Sequence, residues 1–131
     1  MTINEALALH HAGRLAEAEQ AYVKAGKLVE GDPDLLAQYA DLLAMRANNN
    51  LEGRPLVLVN KALALNPKHP MALMLAGSAA FQRADYAQAV ARWETALTVL
   101  EPGSPDAVQV TAEIANARAK GGLAASVSAS K

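Results

Sequence analysis

Apolar residues along this chain fall into segments of helical length, separated by short clusters of turn-forming residues. The breaks come at Gly13-Arg14, Gly31-Asp32-Pro33, Asn48 to Pro55, Asn66-Pro67, Ala84-Asp85 and Glu101 to Pro105. Between them the pattern predicts seven helices, at roughly 2–12, 14–30, 33–47, 54–65, 69–83, 86–100 and 105–120. Alanine is the commonest residue and leucine the second, while β-branched and aromatic runs are scarce, so propensity agrees with pattern and the fold class is all-α. Residues Gly121 to Lys131 are expected to form a disordered tail.

Self-comparison replaces seven separate helices with one architecture. Setting Leu36–His69 over Pro70–Gly103, a period of about 34 residues, puts Tyr39 on Leu73, Leu42 on Ala76, Val59 on Trp93, Ala62 on Ala96, Leu63 on Leu97 and Leu65 on Val99. Every pair is apolar. An earlier unit matches through Leu15, Ala18, Tyr22 and Ala25, which align with Tyr86, Ala89, Trp93 and Ala96. Alanines at the crossing let two antiparallel helices approach closely, and one large residue fills the gap between successive hairpins. The reading is a right-handed α-solenoid over residues 1–120, with hairpins at about 1–33, 34–68 and 69–103 and a capping helix at 105–120. Trp93 is expected to be buried under that cap, against a stripe of Val108, Ala112, Ala115 and Ala119. Three extra residues before Pro33 predict a second helix almost one turn longer than its counterparts, and Pro55 suits the first turn of a helix.

Charge narrows the partners. The 131 residues carry 12 Lys+Arg against 13 Asp+Glu without long basic runs, which argues against nucleic acid or an anionic membrane surface as the main partner. With no cysteine there is no disulfide framework, thiolate zinc site or cysteine nucleophile. No stretch approaches the roughly 18 consecutive apolar residues of a membrane span, and the first nine residues lack the pattern of a secretory signal.

Candidate chemistry is thin. The histidines are His10, His11 and His69; consecutive helical positions point about 100° apart, so His10 and His11 do not suit one metal, and all three are expected to face solvent or a groove. The serines, Ser78 and Ser104 among them, sit in no nucleophile elbow, and no phosphate loop appears. Asp32 and Asp34 flank Pro33 and are read as serving the positive end of a helix. Arg14, Arg83 and Arg92 are read as solvated charges on the hairpins' outer faces. No catalytic residue, metal or cofactor is expected.

Surface shape remains. In such a stack the first helix of each hairpin lines a concave wall. The repeat register places Ile3, Leu7, His10 and His11 there, then Ala37, Ala40, Asp41, Ala44 and Asn48, then Met71, Met74, Ser78, Phe81 and Gln82. Small alanines leave room, and Met71, Met74, Leu7 and Phe81 offer adaptable apolar contacts suited to an amphipathic helix. Met71 and Met74 also fit a core role if the register slips by one residue. Burying three apolar side chains gains roughly 1.5–3 kcal/mol each, while ordering a disordered peptide costs about 2–5 kcal/mol, so further contacts from backbone, Asp41, Gln82 or the histidines are required for micromolar affinity.

These repeats resemble the tetratricopeptide repeat (TPR) family, through Gly77, Ala89, Trp93, Ala96 and Pro102 in the third unit and Ala62 and Pro67 in the second. Pro55 and the irregular Asn48–Gly53 connector depart from its pattern. A narrower resemblance covers Tyr39 to Leu100: Tyr39-Ala40-Asp41, Gly53-Arg54-Pro55-Leu56, Ala62 to Pro67 and Ala76 to Phe81 are similar to the C-terminal repeat domain of cytochrome c biogenesis proteins of the CcmI/CycH type and the related NrfG subunit of the nitrite-reductase haem lyase. That resemblance implies a non-catalytic module that captures apocytochrome c, through its C-terminal helix, and presents it to haem lyase subunits. It also implies the periplasmic part of a membrane-anchored protein, the anchor lying in a segment absent from this chain. The alternative is a generic repeat scaffold, self-associating or pairing with another subunit, and cytoplasmic if the narrower resemblance fails.

Overall fold

Eight helices account for most of residues 3–123, the part of the chain that the computed structural model describes. They are α1 (Ile3–His11), α2 (Leu15–Ala25), α3 (Lys27–Glu30), α4 (Pro33–Arg46), α5 (Arg54–Leu65), α6 (Pro70–Gln82), α7 (Tyr86–Leu97) and α8 (Pro105–Gly121). Local chemistry sets their starts. Asp32 accepts from the backbone N–H of Asp34 at 2.9 Å, Asp85 from Gln88 at 3.2 Å and Ser104 from Ala107 at 3.1 Å, and prolines occupy the first turns of α4, α5, α6 and α8, where a missing N–H costs nothing. Helices joined by short turns pair as the hairpins α1/α2, α4/α5 and α6/α7, with α8 laid against α7. The result is the helical solenoid that the repeat predicts.

Two expectations about the helices themselves are corrected. The long helix at 14–30 is broken: Gly26 takes φ +39°, a left-handed value that a side chain disfavours, and α3 starts in a new direction. The extra residues are thus absorbed as a separate turn, which buries Val29 and leaves Leu28 exposed. The second correction concerns α8, whose buried face is Ala107, Val110, Ile114 and Ala117, whereas Val108, Ala112, Ala115 and Ala119 face outwards. Two alanine-rich stripes compete on this helix, and the bulk of Ile114 and Val110 decides which one meets Trp93. Gly121 ends α8 rather than opening the tail, and residues 124–131 of the expected tail lie outside the described residues.

Trp93 is buried as expected, among Ala80, Ala89, Val90, Val110, Ile114 and Ala117. Its indole also rests on Gly77: a Cβ there would lie 2.2 Å from Nε1. The indole N–H donates to the carbonyl of Met74 at 3.2 Å. At the other end of the stack a polar array joins the first hairpin to the second. His10, only 2% exposed, has Nε2 3.0 Å from an Asp41 carboxylate oxygen and Nδ1 3.2 Å from the Tyr22 hydroxyl. A carboxylate only accepts, so Nε2 donates to Asp41; with the ring neutral, Nδ1 accepts from Tyr22. This corrects the expectation of a solvent-facing or groove-facing imidazole. Burial pushes the Tyr22 phenol up to about 12, with Asp34 and Asp41 adding to the shift; Tyr22 also stacks on Tyr39 with ring centroids 5.1 Å apart.

Replacing Trp93 by Ala should cost about 3–5 kcal/mol in urea unfolding. Gly77→Ala should also destabilise, by about 1–3 kcal/mol of overpacking, although alanine is the better helix former by roughly 1 kcal/mol. In a Trp93→Leu background the alanine should become neutral or favourable, and a raised Tm for Gly77→Ala alone would contradict the contact. Because the folded-state pKa of Tyr22 lies above its ordinary value of 10, the folded form holds the proton more tightly. Stability that is complete below about pH 10 is therefore lost as pH rises towards 12. Tyr22→Phe should flatten that alkaline slope relative to the parent, as followed by circular dichroism.

Candidate functional site

On α6, residues Met71, Met74, Ser78 and Phe81 follow one another at three- and four-residue intervals and so share a face. All four are half-buried. Met71 and Met74 lean on the main core, and Met74 and Phe81 on the cluster around Trp93, so each is part packing and part surface. Two depressions flank this face. One, of about 440 Å³, is lined by Asp34 and Gln38 of α4, His69 at the head of α6, Met71, Met74, and Asp106 of α8. The other, of about 200 Å³, is lined by Ser78, Phe81 and Gln82 together with Trp93 and, from α8, Glu113 and Asn116. Helix α8 thus supplies walls to both, as the first helix of a further repeat would.

Acid dominates here. Asp34, Asp106 and Glu113 line the depressions, and no Lys or Arg does. His69 is held rather than free: its Nδ1 accepts from the Ala72 N–H at 3.2 Å, capping α6, and Nε2 lies 3.4 Å from an Asp34 carboxylate oxygen. That cap requires an unprotonated Nδ1, so Nε2 carries the hydrogen towards Asp34. Like His10, His69 is largely buried, but it does face a groove, as one of the two expected alternatives had it.

The remaining candidate residues lie apart from this face, except Gln82, which edges the smaller depression. Ala37 and Ala40 have no exposed surface and Ala44 has 3%, so they set helix spacing within the core instead of presenting a wall. Ala44 is covered by Leu51, which folds back from the irregular connector and packs on Ala44 and Ala79. Gln82 is spent on the same connector: its Oε1 accepts from the Leu51 N–H at 2.9 Å and its Nε2 donates to the Asn49 carbonyl at 2.7 Å. Asn48 is exposed in that turn with φ +58°, in the left-handed region that asparagine tolerates. Leu7 and Ile3 are half-buried against the main core. Asp41 is tied to His10, while His11 is exposed with its ring 5.6 Å from that of His10.

Sequence reasoning missed Asp34, Gln38, Asp106, Glu113 and Asn116 as lining residues, whereas His69, expected to face solvent or a groove, does line one. A signal for three of them existed. Asp106, Glu113 and Asn116 recur at helical spacing along α8, a polar stripe beside the apolar one. Among the described residues no group of three His, Asp or Glu side chains is placed to hold a metal, and no helix is long and apolar enough to cross a membrane.

Comparison with known proteins agrees with this architecture. The chain is 34% identical over 82 residues to the formate-dependent nitrite reductase complex subunit NrfG of Escherichia coli O157:H7, a match covering 63% of this chain and 41% of that protein. It is 30% identical over 105 residues to the cytochrome c-type biogenesis protein CycH of Pseudomonas aeruginosa, covering 80% of this chain and 26% of that one. The matched region thus spans less than half the length of either relative. A family model, the TPR domain of cytochrome c-type biogenesis protein H, matches residues 7–107, which take in the second and third hairpins, the first from within α1 onwards, and the connector that breaks the repeat. With helical hairpins stacked around a small-residue core and most of its length matched by that model, this chain belongs to the TPR domain family of cytochrome c-type biogenesis protein H.

Proposed function

We propose that this domain is a non-catalytic capture module for unfolded apocytochrome c, holding an amphipathic segment, the C-terminal helix, along the exposed face of α6 for delivery to haem lyase subunits. The observation that carries this reading is the pairing of apolar and acidic side chains on one face. Met71, Met74 and Phe81 offer an adaptable apolar strip, and Asp34, Asp106 and Glu113 border it without a Lys or Arg among the lining residues. An amphipathic helix lays its apolar side into such a strip, and Lys or Arg on its flanks then meets the carboxylates. Methionine suits the task because its unbranched side chain adapts to different sequences.

Core alanines and a committed Gln82 leave a shorter site than the whole concave wall, centred on α6 with α4 and α8 at its sides. Membership of the family supports a place in cytochrome c-type biogenesis. By the same reading the domain works in the periplasm, as part of a longer membrane-anchored protein.

A Met74→Asp plus Phe81→Asp variant that keeps its helical circular dichroism should bind an apocytochrome c C-terminal peptide at least about tenfold more weakly, equal to 1.4 kcal/mol. Reversing charge with Asp106→Lys plus Glu113→Lys should weaken a lysine-bearing peptide and reduce the salt dependence of its association. Binding by the double-aspartate variant as tight as the parent's would sink the proposal.

A further inference from the structure

Away from α6, a cleft of about 230 Å³ lies between the α2–α3 bend and α5, and none of its lining residues borders the depressions described above. Gly26, whose left-handed φ breaks the predicted long helix, is at its edge. The cleft is too small for a drug-sized ligand, which needs about 300–1,000 Å³, but has room for one short apolar group.

Three polar groups of the cleft are incompletely engaged: none of them has an anionic partner among the described residues, and Tyr39 and Arg54 meet each other. Tyr39 lines it and is 4% exposed, and its hydroxyl is the buried side-chain polar atom that finds no hydrogen-bond partner among the described residues. Native structures seldom leave such a group unpaired. Arg54 places its guanidinium carbon 5.3 Å from the Tyr39 ring centroid and forms no ion pair among the described residues. Lys61, two turns along the same face of α5, likewise has none. Glu30 is the only carboxylate among the lining residues, against these two cations. Helix α5 adds to the imbalance, since its first turn holds no acidic residue and Gly53 supplies no side-chain cap for its positive end. Burial pushes the Tyr39 phenol up and Glu19 reinforces the shift, while Arg54 opposes it both by its charge and by its approach to the hydroxyl, so the hydroxyl remains a donor at neutral pH. The walls are apolar: Val29, Leu36 and Leu58 are buried, while Val23 and Val57 stand more than half exposed at the rim.

We propose that this cleft binds a carboxylate carried on a short aliphatic stem, the carboxylate received by Arg54, Lys61 and the Tyr39 hydroxyl and the stem by Val23, Val29 and Val57. Arginine suits the task because its planar fork pairs with both carboxylate oxygens. The last residue of a polypeptide and a free short-chain fatty acid both present this chemistry. The site is independent of the α6 face, so the two proposals stand or fall separately.

The test is an NMR titration of the 131-residue chain with Nα-acetyl-leucine, hexanoate and the uncharged Nα-acetyl-leucinamide. The carboxylates should give saturable shifts at the resonances of Gly26, Tyr39 and Arg54, and the amide should bind at least about tenfold more weakly, one charge-assisted contact being of that order. Arg54→Gln should weaken the carboxylates by about tenfold or more, and Lys61→Gln, at an exposed position, should do so to a smaller extent. Met74→Asp plus Phe81→Asp should leave the titration unchanged. Tighter binding of acetyl-leucine identifies a polypeptide end as the source, and tighter binding of hexanoate a fatty acid; either supports the site. The proposal is overturned by an absence of saturable shifts with both carboxylates, by equal affinity for the amide, or by affinities that neither Arg54→Gln nor Lys61→Gln alters.

Discussion

The third hairpin closes because Gly77 has no side chain. The Trp93 indole occupies the place where a Cβ would stand, and its N–H bonds to the Met74 carbonyl one turn earlier. The same economy of volume runs through the molecule: among the described residues, alanine makes up fifteen of the thirty buried hydrophobic residues, proline aside. Small residues let helices approach without voids, and a few large ones, Tyr22, Tyr39 and Trp93 among them, fill the spaces between hairpins. Helix α6 is held by this crossing and by the main core, which leaves Met71, Met74, Ser78 and Phe81 on a face that no other helix covers completely.

Polar residues expected to meet a ligand serve instead to join the hairpins. His10 ties α1 to Tyr22 of α2 and Asp41 of α4; His69 caps α6 and reaches Asp34; Gln82 braces the connector before α5. Each is buried or engaged because a repeat stack has few other means of fixing one hairpin's angle to the next, and directional bonds complement interchangeable alanine contacts there. For the proposed peptide site, the consequence is a surface confined to α6 and its flanks.

A formal charge of −1 conceals a segregation. Carboxylates border the α6 face, while Arg54 and Lys61 stand together at the α5 cleft. The motif Gly53-Arg54-Pro55-Leu56 acquires a physical meaning from this arrangement. Pro55 starts the helix and is buried, and Arg54 beside it is turned over the Tyr39 ring, so two segments that stand out in the sequence meet in space.

Helix positions apart from the break at Gly26, the repeat, the burial of Trp93 and the Asp32 cap were legible in the sequence, because propensity, turn chemistry and a repeating apolar pattern act over a few residues at a time. The α6 strip was legible for the same reason. Which stripe of α8 faces Trp93, whether Ala37, Ala40 and Ala44 line a groove or a core, and where His10 and Gln82 spend their hydrogen bonds were decided only by tertiary structure. An alanine satisfies the pattern equally well on either side of a helix, and a hydrogen bond between residues 31 apart in the chain, as for His10 with Asp41 and Gln82 with Leu51, leaves no periodic trace. Only the packing of one hairpin on another brings such partners together.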